Sequence, residues 1–239
     1  MAEEDLSAAV TLPWHWEWVP GAKGGAERRE RWSDHVVELF EDWTRGGWDA
    51  MRAQWPRDAG TEFPFTAELV GRGAAQWLIE RADQLPVGQR LAWGAAFVDG
   101  WPRWAPVPVV VEFRAPQAED PIYLMELVGA GPRQDDDREP LIDYVTTPFG
   151  DGLRVLGFGR CTDEMAFGRL DAAMRLDWPA AGARAAARLD VLLSTRVVDL
   201  AQMAVIGPGI EQLMQRIAAD PVNVVGGPVD AVRAESAKG

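Results

Sequence analysis

From residue 90 to residue 198 the chain is a succession of apolar, β-branched runs separated by short stretches of turn chemistry, and this spacing limits the fold more than any other feature. The runs cover 90–98, 107–114, 122–128, 141–147, 153–160, 170–178 and 188–198. Between them stand Asp99-Gly100, Ala115-Pro116, Gly129-Ala130-Gly131-Pro132 and Pro148-Phe149-Gly150-Asp151-Gly152, residues that supply the fixed or positive φ angles of tight turns. Parallel strands need a crossover of about a dozen residues or more, so connections this short specify antiparallel neighbours. Segment 170–178 also fits a helix through Leu170, Met174 and Asp177, and periodicity leaves its state open.

The first part of the chain has a different rhythm. Trp14-His15-Trp16-Glu17-Trp18 alternates strictly, which puts three indoles on one face of a strand and His15 and Glu17 on the other. Pro20-Gly21 ends it. Over 26–55 the spacing of Trp32, Val36, Leu39, Phe40 and Trp43 is helical, and Trp48, Met51 and Trp55 resume it after Gly46-Gly47. Each interior glycine costs about 1 kcal/mol, so a kinked helix or two helices are expected there. A second helix runs from an N-cap at Thr66 through Leu69, Trp77 and Leu78 to Leu85, closed by Pro86 and Gly88. A last helix follows Gly207-Pro208-Gly209 and carries Ile210, Leu213, Met214 and Ile217 on one stripe.

These elements specify an α+β domain: a mostly antiparallel sheet of roughly six to eight strands with helices packed on it. The strand and helices at the start and the helix at the end complete it. A single domain is expected over 1–222. Residues 223–239 hold Gly226-Gly227-Pro228 and few large apolar groups, as in a flexible tail.

Trp16-Glu17-Trp18-Val19-Pro20, and a strand reaching Ser194-Thr195-Arg196 that leads into a helix over 210–217, resemble the PsbP-like fold, including the small α+β proteins common in actinobacteria. The resemblance spans most of the chain as an order of elements. It implies an accessory or binding protein and transfers no functional residue. Many members are secreted or lipid-anchored, whereas Met1-Ala2-Glu3-Glu4-Asp5 is no secretory start, and the helical insert here is longer.

Charge narrows the partners. The net charge is −13, and the basic residues divide evenly, twelve in 1–120 and twelve in 121–239. Nucleic acid and anionic membranes both require a basic face, so neither is expected as a partner. No run approaches the ~20 apolar residues of a membrane span, so no insertion is expected. The single Cys161 cannot form an internal disulfide, which fits a cytoplasmic location.

Most catalytic chemistry has no counterpart in the sequence. Ser7, Ser33, Ser194 and Ser236 are the only serines, and none lies in a G-x-S-x-G elbow. Cys161 closes an alternating strand, the setting of a buried, inert thiol. Gly157-Phe158-Gly159 lacks the third glycine of a dinucleotide fingerprint and marks a bulge or a close backbone approach. Asp135-Asp136-Asp137 and Glu139 lack the alternation of a calcium loop and read as a solvated loop. Cys161-Thr162-Asp163-Glu164 needs a distant histidine to bind zinc, and the chain has two. His15 and Glu17 are the best acid–base pair, and the simplest reading of them is a hydrogen-bonded, solvent-facing edge. No cofactor or metal is expected.

Tryptophan is the remaining oddity, with 12 residues against 8 phenylalanines and 2 tyrosines. Trp14, Trp16, Trp18, Trp32, Trp43 and Trp77 sit on core-facing spacings. Trp101-Pro102-Arg103-Trp104 instead falls in a turn, where Trp and Arg are the residues that anchor interfaces. The expected site is therefore Trp101, Arg103 and Trp104, rimmed by Asp135, Asp136, Asp137 and Glu139. The expected function is a non-enzymatic protein-binding module, an adaptor, chaperone-like accessory or immunity-type inhibitor, for a basic protein. The alternatives are a small-ligand binder with a Trp-lined pocket and an enzyme with a site of scattered carboxylates.

Overall fold

The computed structural model describes residues 13–56, 60, 62–98, 101–102, 107–117, 120, 122–131, 136, 138–160, 166–180, 186–198 and 203–220. In chain order its elements are β1 (Trp14–Trp18), α1 (Ala26–Gln54), α2 (Ala67–Asp83), β2 (Gln89–Val98), β3 (Trp101–Pro102) and β4 (Val107–Arg114). These are followed by α3 (Ile122–Leu127), β5 (Leu141–Thr147), β6 (Gly150–Arg160), β7 (Ala166–Trp178), β8 (Ala187–Val197) and α4 (Met203–Ala219). The sheet order is β1-β2-β4-β8-β7-β6-β5, with β3 paired to β2, and every pairing is antiparallel. The fold is α+β, as the run of strands and short turns requires.

Both faces of the sheet are covered. On one lie Val109, Val111, Leu170, Ala172, Met174, Leu176, Val191 and Leu193, packed against Ile206, Ile210, Leu213, Met214 and Ile217 of α4. On the other, α1 and α2 pack over Leu91, Trp93 and Ala95 of β2, while Leu124 of α3 packs with Leu153, Val155 and Ala173. Strict alternation in β4, where Val107, Val109, Val111 and Phe113 are buried and their neighbours half-buried, divides the two.

The sheet curls around α4. Gln212 and Arg216, one turn apart on α4, cap the outer edge of β1: Gln212 Oε1 accepts from Trp14 N–H at 3.4 Å, and Arg216 donates to the Trp16 carbonyl. The same helix reaches the opposite sheet edge, where Gln215 Nε2 donates to Thr146 O of β5 at 2.7 Å. Seven strands laid flat would hold their edges roughly 29 Å apart at ~4.8 Å per strand, whereas a helix is about 10–12 Å across. Only a curled sheet lets one helix touch both edges.

The alternating tryptophans of β1 face α4. Trp14 and Trp16 stack with centroids 5.1 Å apart and planes within 9°, and Trp16 Nε1 donates to Gly209 O at 3.0 Å. Glycine is required where these rings lie: a Cβ on Gly94 would stand 2.4 Å from the Trp16 ring, and one on Gly209 2.3 Å from that of Trp14.

Several sequence expectations are corrected. Segment 122–128 is helical over Ile122–Leu127, not a strand. Asp120 Oδ1 accepts from Ile122 N–H at 2.9 Å, Leu124 and Val128 bury themselves one turn apart, and Gly129 at φ 60° ends the turn. Helix α1 continues through Gly46-Gly47 without a break. Helix α4 starts at Met203 and carries Pro208 inside it. Burial of Met203 and Ile206 against the sheet outweighs the local cost of Gly207, Pro208 and Gly209. Segment 170–178 is strand, within the long β7 that pairs on both sides. Not every antiparallel neighbour is consecutive in the chain, because β4 pairs with β8 across the intervening β5–β7. Trp77, expected in the core, is 43% exposed beneath the Arg81 guanidinium.

Candidate functional site

Of the residues that the sequence groups into one interface, the structure describes Asp136, Glu139 and the strand position of Trp101. Trp101 lies in β3, paired with Val98, and its side chain lies outside the described residues, as do Arg103, Trp104, Asp135 and Asp137. Cys161 also lies outside them. Asp136 is described, and it is no rim residue. Its carboxylate is 2% exposed and takes a bidentate pair from Arg169 of β7, Nε to Oδ1 at 3.0 Å and Nη2 to Oδ2 at 2.8 Å. Arg169 is itself 1% exposed and also meets Asp171 at 3.2 Å. Gly157 makes room for it, since a Cβ there would lie 2.6 Å from Arg169 Nε. A side chain thus fills the space at Gly157, the backbone of Asp136 bridges to Gly159, and β6 pairs with β7 through both without a bulge.

Glu139 is exposed, and two residues later the chain enters β5, the open edge of the sheet. Thr146 O points outward to Gln215, so the backbone groups of Ile142 and Tyr144, in phase with it, also point outward. No described strand pairs with them. Leu141 is 59% and Tyr144 76% exposed; Glu139 and, across from Thr146, Asp151 are exposed, while Asp143 is paired with Arg154 at 3.3 Å. The other edge strand, β1, is met by α4 at the Trp14 N–H and at the Trp16 carbonyl.

A second cluster forms where α1 lies across β1. His15 and Glu17 share the face that the sequence assigns to solvent, but α1 and Trp93 of β2 cover it, and the Glu17 side chain is only 18% exposed. His35 of α1 brings Nε2 to 2.7 Å from Glu17 Oε1. His15 Nε2 lies 3.0 Å from the same oxygen. Trp32 Nε1 donates to the second oxygen, Oε2, at 3.1 Å. The His15 ring is held edge-on by Trp43 and Trp93, at 5.6 and 6.0 Å between centroids. Burial raises the Glu17 carboxyl, yet hydrogen bonds to and charge on His15 and His35 outweigh it and bring its pKa to about 2. The spacing of Trp32 and His35 on α1 could have signalled the cluster only to a reader who knew that this helix returns over β1.

The Trp-lined cleft between β1 and α4, bounded by Trp16, Trp18, Ala92, Leu213, Arg216 and Ile217, measures ≈ 50 Å³. That is room for a few waters, against ~300 Å³ or more for a small-ligand site. No helix among the described residues is long and apolar enough to cross a membrane. No protein-family model, no curated protein and no solved structure matches the chain.

Proposed function

We propose that the protein is a non-enzymatic binding module that takes a basic protein segment as an added strand on β5. The observation that carries this reading is the contrast between the two sheet edges: β1 is capped by α4, whereas Ile142 and Tyr144 leave their outward backbone groups without a strand neighbour. An uncapped edge is a template for an extended peptide, whose backbone supplies hydrogen bonds and whose alternate side chains find flanking pockets. The exposed Leu141 and Tyr144 give that peptide apolar contact. Glu139, Asp151 and the net charge of −13 favour Lys or Arg in it. The acidic loop of the sequence reading thereby keeps a part in recognition through Glu139, while Asp136 holds the fold together.

Substitution at the outward position tests the reading. Tyr144→Pro removes an outward N–H and leaves the β5–β6 hydrogen bonds in place. Captures from the native host by wild type and by Tyr144→Pro are compared at low and at physiological salt. The expected result is a basic protein held by wild type, more weakly at higher salt, and lost with Tyr144→Pro. A partner held equally by both forms, or an acidic one, overturns the reading.

A further inference from the structure

We infer that His15 Nε2, Glu17 Oε1 and His35 Nε2 form a binding site for a divalent first-row transition-metal ion. The three atoms lie within 4.8 Å of one another. Donors in neighbouring positions about such an ion, each at roughly 2.1 Å, stand about 3.0–3.4 Å apart. The observed separations from Glu17 Oε1 are 3.0 Å to His15 and 2.7 Å to His35, with all three within 4.8 Å of one another, so a shift of the His35 ring toward His15 brings the donors to those spacings. His35 is free to make them, because its side chain is 43% exposed on the outer flank of α1.

The donor chemistry selects the class of ion. Two imidazoles and one carboxylate suit zinc, iron, cobalt and nickel, whereas calcium and magnesium take oxygen ligands. The carboxylate also neutralises half the charge of the ion. Supporting groups around the ligands are already in position. Trp32 Nε1 fixes the remaining oxygen of Glu17. Glu38 Oε2 stands 4.0 Å from His35 Nδ1, the nitrogen turned away from the cluster, so the Nδ1–H tautomer that leaves Nε2 for the metal is the one it favours. His15 is wedged between two indoles and Nε2 is its buried nitrogen. The exposed side of His35 leaves further coordination positions open to solvent. The expectation of no metal rested on the chain having two histidines, which sequence distance keeps apart and the fold brings to one carboxylate. This inference is independent of the proposed strand-addition function, since the cluster lies at β1 and not at β5.

The test is a titration of the full chain, freed of metal with EDTA and dialysed, with cobalt(II) chloride followed by zinc chloride. Saturating visible absorption at one cobalt per chain, displaced by zinc, is expected for wild type. His35→Ala and Glu17→Gln should each weaken cobalt binding by at least ~10-fold, and Trp32→Phe by a smaller factor. Circular dichroism confirms that each variant is folded. In the wild type zinc should also raise the unfolding temperature, by more than in His35→Ala. The inference is overturned by the absence of saturable cobalt absorption in the wild type. It is equally overturned by binding of the same strength in folded His35→Ala and Glu17→Gln.

Discussion

Arg169 and Asp136 form a two-pronged ion pair from which water is almost wholly excluded, their side chains 1% and 2% exposed. The pair joins the segment before β5 to the middle of β7, and Asp136 also bridges to Gly159 of β6. Removing one partner leaves the other charge buried. Asp136→Ala is therefore expected to destabilise the fold by about 3–5 kcal/mol in urea unfolding, whereas Glu139→Ala should change it by less than ~0.5 kcal/mol. Equal, small effects of the two substitutions would show that Asp136 is solvated.

The Glu17 carboxyl contributes an acid limb to stability. Its folded pKa is about 2 against an ordinary 4.5, so the ionised form is favoured by folding. For a depressed pKa the contribution is complete above the unfolded value and is lost as pH falls toward the folded one. With EDTA present, the stability difference between wild type and Glu17→Gln should be largest above about pH 4.5 and shrink toward pH 2. Urea unfolding at several pH values checks this, and a difference that stays constant across that window counts against it.

The contact between Gly94 and the Trp16 ring predicts coupled substitutions. Gly94→Ala places a methyl group inside the ring and should cost roughly 1–3 kcal/mol or more. In a Trp16→Leu background that cost should fall by at least half, because the clash is gone although the cavity penalty remains. Additive effects in the double-mutant cycle would mean that the ring does not lie over Gly94.

Tyr144 should be dispensable for folding. Its ring is 76% exposed, so Tyr144→Ala is expected to change unfolding stability by less than ~0.5 kcal/mol. Hydrogen exchange should show the amides of Ile142 and Tyr144 exchanging faster than those of Asp143 and Val145, which face β6. Slow exchange at the outward pair in the free protein would mean that this edge is already covered.

Strand segments were readable where side chains of two kinds alternate or an apolar run is bounded by turn residues. In β1 tryptophan alternates with His15 and Glu17, and in β4 an apolar run stops before Ala115-Pro116; the bounds Trp14–Trp18 and Val107–Arg114 follow from these. The cap at Thr66 was equally plain, and its Oγ1 accepts from Leu69 N–H at 3.0 Å. Short apolar runs were the failure. Residues 122–128 contain too few turns for a period to declare itself, and Asp120 and Gly129 decide them as helix.

Sequence alone determined that Trp14, Trp16 and Trp18 share one face of a strand and His15 and Glu17 the other, because side-chain direction along a strand is a local property. It could not determine what covers each face. That His35, eighteen residues further on, meets Glu17 depends on α1 folding back over β1. That Asp136 meets Arg169 depends on the pairing of β6 with β7 and on the space left at Gly157. Charges in a sequence read as solvated because water is their usual surroundings, and only tertiary packing removes that water and supplies a partner in its place.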